Sequence, residues 1–490
     1  MHGIPLNLES GGGDTRYHCG KLVYTKAGLF TLFTWLLWGD FCFSLMETIW
    51  PNVLPLMLNG QHASNLTMGL VITTIPAIMN LVLNPIISMA SDRHRGPRGR
   101  RIPFLLATTP CLVLFLLLLG WSRELGAGLH RALAASFPHL SAAGVTIAVI
   151  CVLLICFRFF ELFVNTVFWY LFNDVVPSAF MGRFLGFFRI VGGLAGGLFN
   201  FFVFKYAESH TSAIFFGVAL LYGTVFMLMC LKVKEGSYPA PEAIRKRSPV
   251  AYFRAFFEEC YSHRIFRLTF VYTLVSFLVT AISTFSVFMA FSIGLTLDQV
   301  GKVAGIAGFV SVALMYPVGW MIDRYHPIRV ALGAQAVGGL IAAGQLVFLF
   351  HEFPKETVFW VYAVLADSAI AVNIAIVGVS LPLVMRIFPH DRFGQFCAAN
   401  AQSSAVGWIV GGSLAGAFLD LMKRFFPQAD YYYRFVPVWT ICFAALSVGA
   451  MALVYREWQK LGGDQGYQPP IRDKFTTFYQ HNAGQTAPEV

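Results

Sequence analysis

A succession of apolar runs of about 20 residues, the length that crosses a bilayer, dictates what this chain can fold into. Short polar loops separate the runs. Lipid offers the backbone no hydrogen-bond partner, so each run must satisfy its own amides as a helix. Spans are expected near 27–57, 67–90, 102–122, 143–173, 183–206 and 211–233, then near 265–293, 300–322, 330–350, 357–387, 392–421 and 435–457. Composition agrees, with 57% hydrophobic and only 12% charged residues, against roughly 25% charged in a soluble domain. The fold class is therefore all-α and membrane-embedded, with twelve transmembrane helices in two six-helix bundles.

Net charge is +10, but the basic residues sit in short loops between apolar runs. The positive-inside rule explains them, and a nucleic-acid partner is not expected. One set of loops holds Arg93, Arg95, Arg98, Arg100 and Arg101, then Arg183, Lys234, Arg245, Lys246, Arg247, Arg324, Arg329, Arg386, Arg392 and Arg456. The alternate loops hold far fewer. The bias places both termini in the cytoplasm and the protein in a plasma (inner) membrane. The expected organisation is a cytoplasmic segment over 1–26, a six-helix bundle over 27–233, a cytoplasmic linker over 234–264, a second bundle over 265–457 and a cytoplasmic tail over 458–490. A short interfacial helix is expected at 250–260, and the long outer stretch 123–142 is expected to cover the external mouth. Nine cysteines are scattered, mostly inside apolar runs, without metal spacing or a disulfide framework. Asn65-Leu66-Thr67 reads as a glycosylation sequon, a pattern more often met by chance.

The halves echo each other. Asp92-Arg93 follows span 2 and Asp323-Arg324 follows span 8. P-x4-G-x-F occurs at Pro177, Gly182 and Phe184 after span 4, and again at Pro389, Gly394 and Phe396 after span 10. Six plus six spans with parallel repeats resembles the major facilitator transporters. Asp92-Arg93 with Arg100-Arg101 resembles their loop signature, in which charges at helix ends pair in one conformation and release in the other. Asp323 and Arg324 would complete such a gating set in the second half.

A narrower resemblance rests on the stretch NPIISMASDRHRGPRGRRIPF (84–104), WGDF (38–41), VFWYL (167–171) and RIVGGLAG (189–196). In their order along the chain these are similar to the glycoside–pentoside–hexuronide cation symporters, the family of melibiose permease. The resemblance covers most of the N-terminal half, and the C-terminal half matches only in hydropathy and loop echoes. It implies secondary transport of a sugar or glycoside with a proton or sodium ion. It also implies a substrate site at Asp40, Asn165, Trp169 and Arg189. An indole face against a sugar ring, with polar side chains for the hydroxyls, is sound sugar-binding chemistry. Asn165 falls where melibiose permease has a sugar-binding Asp.

Two acids that serve sodium in that family are here Asn80 and Asn84, which add no negative charge, so a proton is favoured. A proton needs a titratable carboxyl, and the coupling candidates are Asp40, Glu47, Glu161 and Asp367 beside Asn80 and Asn84. Asp40 and Glu47, seven apart, share one face of span 1. Arg158 and Glu161, three apart, can pair along span 4. Each of these acids also has a purely structural reading as an interhelix or intrahelix bond. The glycine runs Gly192-Gly193, Gly196-Gly197, Gly411-Gly412 and Gly416 let spans 5 and 11 approach their neighbours. No catalytic constellation, cofactor motif or metal spacing appears, so an enzyme is not expected. Spans 1, 4 and 5 are expected to form one half of the solute site and spans 7, 8, 10 and 11 the other. The expected partners are a small solute, an ion and membrane lipid, with a monomer as the working state. The rival functions are carriage of a lysolipid, nucleoside or drug, and a non-transporting membrane sensor.

Overall fold

A computed structural model describes residues 16–19, 21–236, 256–389, 392–428 and 430–470. The basic linker residues Arg245, Lys246 and Arg247 and the last part of the tail lie outside them. Among the described residues twelve helices are long and apolar enough to cross a membrane. Spans 1 to 6 are Lys26–Asn59, Asn65–Arg93, Ile102–Gly120, Ala142–Val175, Ser178–Tyr206 and Thr211–Lys232. Spans 7 to 12 are Arg264–Ser292, Leu297–Arg324, Pro327–Phe350, Lys355–Ile387, Phe393–Phe425 and Tyr431–Lys460.

Several spans run past the apolar stretch because polar residues cap them. Ser64 Oγ accepts the backbone N–H of Thr67 and so starts span 2 at Asn65. Thr296 and Gln299 form a reciprocal capping box that starts span 8 at Leu297, three residues before the apolar run. Such caps supply partners for N–H groups that a helix leaves open in its first turn. Residues 256–260, the described part of the expected linker helix, are helical. The stretch 123–142, expected at the outer face, has secondary structure of its own. It forms a helix at Ser122–Leu133 that packs along span 4, so closely that a Cβ on Gly126 would lie 2.6 Å from Thr146 Oγ1. Near the N-terminus, Tyr17–Cys19 and Leu22–Tyr24 pair as a small antiparallel hairpin.

The two bundles meet mainly through glycines. A Cβ on Gly69 of span 2 would stand 2.1 Å from the carbonyl oxygen of Gly412 in span 11, and one on Gly416 would stand 2.3 Å from that of Asn65. Span 5 approaches span 8 in the same way. Gly197 packs on Phe309, Gly308 packs on the Gly197 backbone, and Gly305 packs on Phe201. These contacts lie at the start of span 2, the end of span 5, the start of span 8 and the end of span 11. All four places belong to the face opposite the ends of the described residues, Arg16 and Pro470, and form the far face; the other is the termini face. Toward the termini face, Cβ atoms on Gly182 and Gly186 of span 5, Gly319 of span 8 and Gly394 of span 11 would meet nothing within 4 Å. The bundles are therefore joined at the far face and parted at the termini face.

Asp420 fastens the far face. Its carboxylate, near the end of span 11, accepts the backbone N–H groups of Asn65 (3.1 Å) and Leu66 (2.9 Å) and the Asn65 Nδ2 (2.9 Å). Tyr433 Oη donates to Asn65 Oδ1 at 2.8 Å. A carboxylate of one bundle thus caps the first helical turn of the other, where the helix dipole favours negative charge. The Asn65 sequon is spent in this contact, with the side chain buried.

Candidate solute site

Between the bundles lies a cavity of about 600 Å³, within the range of small-molecule sites. Its walls come from spans 1, 2, 4, 7 and 11. Span 4 presents Arg158, Asn165, Thr166, Trp169 and Tyr170, and span 2 presents Asn80 and Asn84. Trp50 of span 1 and Trp408 of span 11 add two more indoles. Span 2 is a wall that the sequence did not single out for the solute. Spans 5, 8 and 10, expected in the site, instead line a smaller neighbouring cavity of about 270 Å³, with Asn52, Asn200, Ser283, Thr284 and Tyr362 on its surface.

Local bonds orient the amides. Thr166 Oγ1 donates to Asn84 Oδ1 at 3.1 Å. Ser88 Oγ bonds the Asn84 carbonyl oxygen at 2.8 Å and the Tyr170 hydroxyl at 2.9 Å. The Asn84 amide oxygen is thereby committed to the protein, while Asn80 and Asn165 face the cavity. Trp169 is 37% exposed, with its ring 4.8 Å from Phe188. The Arg189 guanidinium stands 5.8 Å from the Trp169 ring centre, a cation–π separation. Asp40 is fully buried, accepts from Ser44 Oγ at 3.2 Å and lies within electrostatic reach of Arg189. Asp40 is thus buried and Arg189 is exposed over the Trp169 ring, and neither lines this cavity.

A second group of charges backs the cavity wall at Arg158. Its Nη1 pairs with Glu161 Oε2 at 2.8 Å, one turn along span 4. Its guanidinium covers the Trp50 ring at 4.3 Å. Glu161 is fully buried, and the Glu47 carboxyl of span 1 lies against it. The Glu47 carboxyl is within side-chain hydrogen-bonding reach of Glu161 and Trp50. Asp367 lies apart in span 10, half-buried beside Tyr362, with Oδ1 unpartnered among the described residues.

The loop after span 2 forms a compact charge cluster at the termini face. Arg100 grips Asp174 of span 4 at both carboxylate oxygens, Nε at 2.8 Å and Nη2 at 2.5 Å. Arg101 bonds Asp174 Oδ2 at 3.1 Å, pairs with Asp92 and donates to Ser91. Glu235, just after span 6, accepts the backbone N–H groups of Arg101 and Ile102 and so caps span 3. Burial pushes its carboxyl above the usual range, against the pull of those two amides. The Gly99 backbone, at φ 96°, makes room for it, since a Cβ there would overlap the Glu235 side chain. Arg93 is exposed, as are Asp323 and Arg324 in the second half, where Arg324 lies 5.3 Å from the Trp320 ring centre. Asp174 and Glu235 were not foreseen, because no spacing rule ties the end of span 4 or span 6 to the loop after span 2. The cluster also touches the cavity, with Arg101 over the Tyr170 ring at 5.0 Å.

Residues 36–412 match the Major Facilitator Superfamily. The chain belongs to that superfamily. Its members are transporters that work by alternating access, and the parted termini face with a joined far face is one of the two states such a cycle requires. The fold is similar to several solved structures. A mutant form of the nucleoside transporter NupG aligns with a TM-score of 0.65 at 11% identity, covering 86% of this chain and 100% of that one. A bacterial homolog of the human lysosomal transporter Spinster, in an inward-facing conformation, gives 0.62 at 13%, covering 89% and 99%. A D-xylose–proton symporter gives 0.59 at 14%, covering 86% and 97%. No curated protein matches the chain.

Proposed function

We propose that this superfamily member carries a neutral, hydroxyl-rich solute, a sugar or glycoside, coupled to protons, in line with its resemblance to the glycoside–pentoside–hexuronide symporters. The supporting observation is the lining of the main cavity, where Asn80 and Asn165 offer amide donors and acceptors between the indoles of Trp50, Trp169 and Trp408. Each amide can both donate to and accept from a hydroxyl, and indole faces suit the C–H surface of a pyranose. Arg158 is the charged side chain on that wall, and Glu161 pairs with it from behind.

Glu47, Arg158 and Glu161 are the proposed proton site. Two carboxyls around one guanidinium leave one negative charge in excess, which a bound proton cancels. Sodium is disfavoured because the two span 2 positions are amides and the Asn84 oxygen is already bonded. Arg189 steadies the Trp169 ring, Asp40 lies within electrostatic reach of Arg189, and Asp367 stands outside the proton step. In this reading the termini face lies in the cytoplasm of a plasma membrane, an orientation that the arginine-rich loops support, and bundles over 27–233 and 265–457 work as a monomer.

A nucleoside is the second reading. The same amides match a base edge and the same indoles match a base face, and one structural neighbour carries nucleosides. Proteoliposome exchange with a panel of labelled mono- and disaccharides and nucleosides separates the two. Saturable exchange of a sugar, weakened by Asn165→Ala, supports the proposal. Exchange of nucleosides alone replaces it.

A further inference from the structure

Spans 8 and 9 both pack along span 10 but scarcely touch one another. The gap between them is a groove of about 520 Å³, floored by Ala371, Val372 and Ala375 of span 10. Met321 of span 8 and Val330, Gly333 and Val337 of span 9 form its walls. The groove opens outward from the bundle, since Val337 is 47% exposed and a Cβ on Gly333 would meet nothing within 4 Å. From Arg329 to Val337 span 9 rises about 12 Å, close to the roughly 15 Å depth of one leaflet's hydrocarbon. An apolar trough of that depth fits one acyl chain.

The end of the trough at the termini face has different chemistry. Arg329 and Tyr325 line it, Tyr325 and Trp320 are exposed, and aromatic rings of this kind settle at the headgroup level. Arg324, Arg329 and Arg386 are exposed there. Arg329 and Arg386 both act on the imidazole of His326 at the head of span 9. The opposing acids are Asp323, which is exposed, and Asp464, which pairs with Arg329. Asp464 comes from the tail, which is tied down nearby by Tyr467 Oη bonding the Ile387 carbonyl at 2.9 Å.

We propose that this groove binds an anionic phospholipid of the leaflet at the termini face, with an acyl chain between spans 8 and 9 and the phosphate on Arg329 in competition with Asp464. A guanidinium binds phosphate through paired N–H donors, and cationic pockets between spans select anionic headgroups. The tail carboxylate holds the arginine when no such lipid is present.

Purified full-length protein in phosphatidylcholine nanodiscs is titrated with fluorescent phosphatidylglycerol, with labelled phosphatidylcholine as the neutral control. Wild type is expected to favour the anionic lipid at least tenfold. Arg329→Gln and Gly333→Leu each lower its affinity about tenfold, the first by removing the cation and the second by filling the trough. Asp464→Asn raises affinity severalfold. Glycerol phosphate, the headgroup without chains, does not compete at matched concentration. Equal binding of both lipids, binding indifferent to Gly333→Leu, or full competition by glycerol phosphate overturns the proposal. If Gly333→Leu does not yield folded protein, Val337→Trp at the exposed rim carries the same test.

Discussion

Asp420 offers the sharpest test of the conformational cycle. Its three accepted bonds join the bundles across the far face and are lost when that face opens. A hydrogen bond to a charged group contributes about 1.5–3 kcal/mol. In the open state water replaces the partners of the two backbone amides, which offsets much of the sum. A net contribution of about 3 kcal/mol to the far-face-closed state follows, or roughly a hundredfold in the equilibrium between states. Asp420→Ala removes all of it. Asp420→Asn keeps one acceptor, loses the charge and should shift the equilibrium by about tenfold. Spin labels at His62 and Arg424, both exposed on the far face, report the gap by pulsed dipolar spectroscopy. The alanine variant is expected to populate a longer-distance component that wild type lacks, with the asparagine variant between them. An unchanged distance distribution in folded Asp420→Ala would refute the latch.

Three other outcomes follow from the geometry. Gly69→Leu puts a side chain where even a Cβ meets the Gly412 carbonyl; overpacking of this kind costs about 1–3 kcal/mol, so the same spin-label pair should again show far-face opening. Trp169→Ala removes the exposed indole that Arg189 covers and is expected to raise the KM for solute about tenfold or more while the melting temperature changes little. His326, between spans 8 and 9, is pushed down to about 4, by burial first and then by Arg386. Its neutral Nδ1 accepts the Ile328 N–H at 3.3 Å, and protonation removes that cap. The stability this group contributes is therefore complete above about pH 6.5, the ordinary imidazole value, and is lost as pH falls through the folded value near 4. A thermal-stability profile over that window should be flatter for His326→Gln than for wild type.

Much of the fold was legible because lipid imposes a single rule on the backbone. Apolar length alone placed all twelve spans. The glycine runs marked spans 5 and 11 as close-approach surfaces, and Gly197 and Gly412 sit in those contacts. Span ends were less legible, since capping by Ser64 or Thr296 depends on side-chain geometry rather than hydropathy. The helix at Ser122–Leu133 was not read from the sequence, because it is short and mostly exposed and so lacks a long apolar run. Of the site, Asn80, Asn84, Asn165 and Trp169 do meet in one cavity. Asp40 and Arg189 do not line it: Asp40 is fully buried, and Arg189 sits over the Trp169 ring instead. Trp408, Asp420, Asp174 and Glu235 went unnoticed for a common reason. Each matters through a residue on another span, and one sequence carries no record of which spans are neighbours.

The central proposal, proton coupling through Glu47, Arg158 and Glu161, is tested most directly by solute accumulation in proteoliposomes under an imposed proton gradient. Wild type and Glu161→Gln are to be compared, with solute exchange at equal pH measured in the same vesicles. Wild type is predicted to accumulate solute against its gradient. Glu161→Gln is predicted to retain exchange but to lose accumulation, since the amide leaves Arg158 and Glu47 as a balanced pair with no proton to carry. Accumulation by Glu161→Gln equal to wild type, or accumulation that follows sodium and ignores the proton gradient, would contradict it.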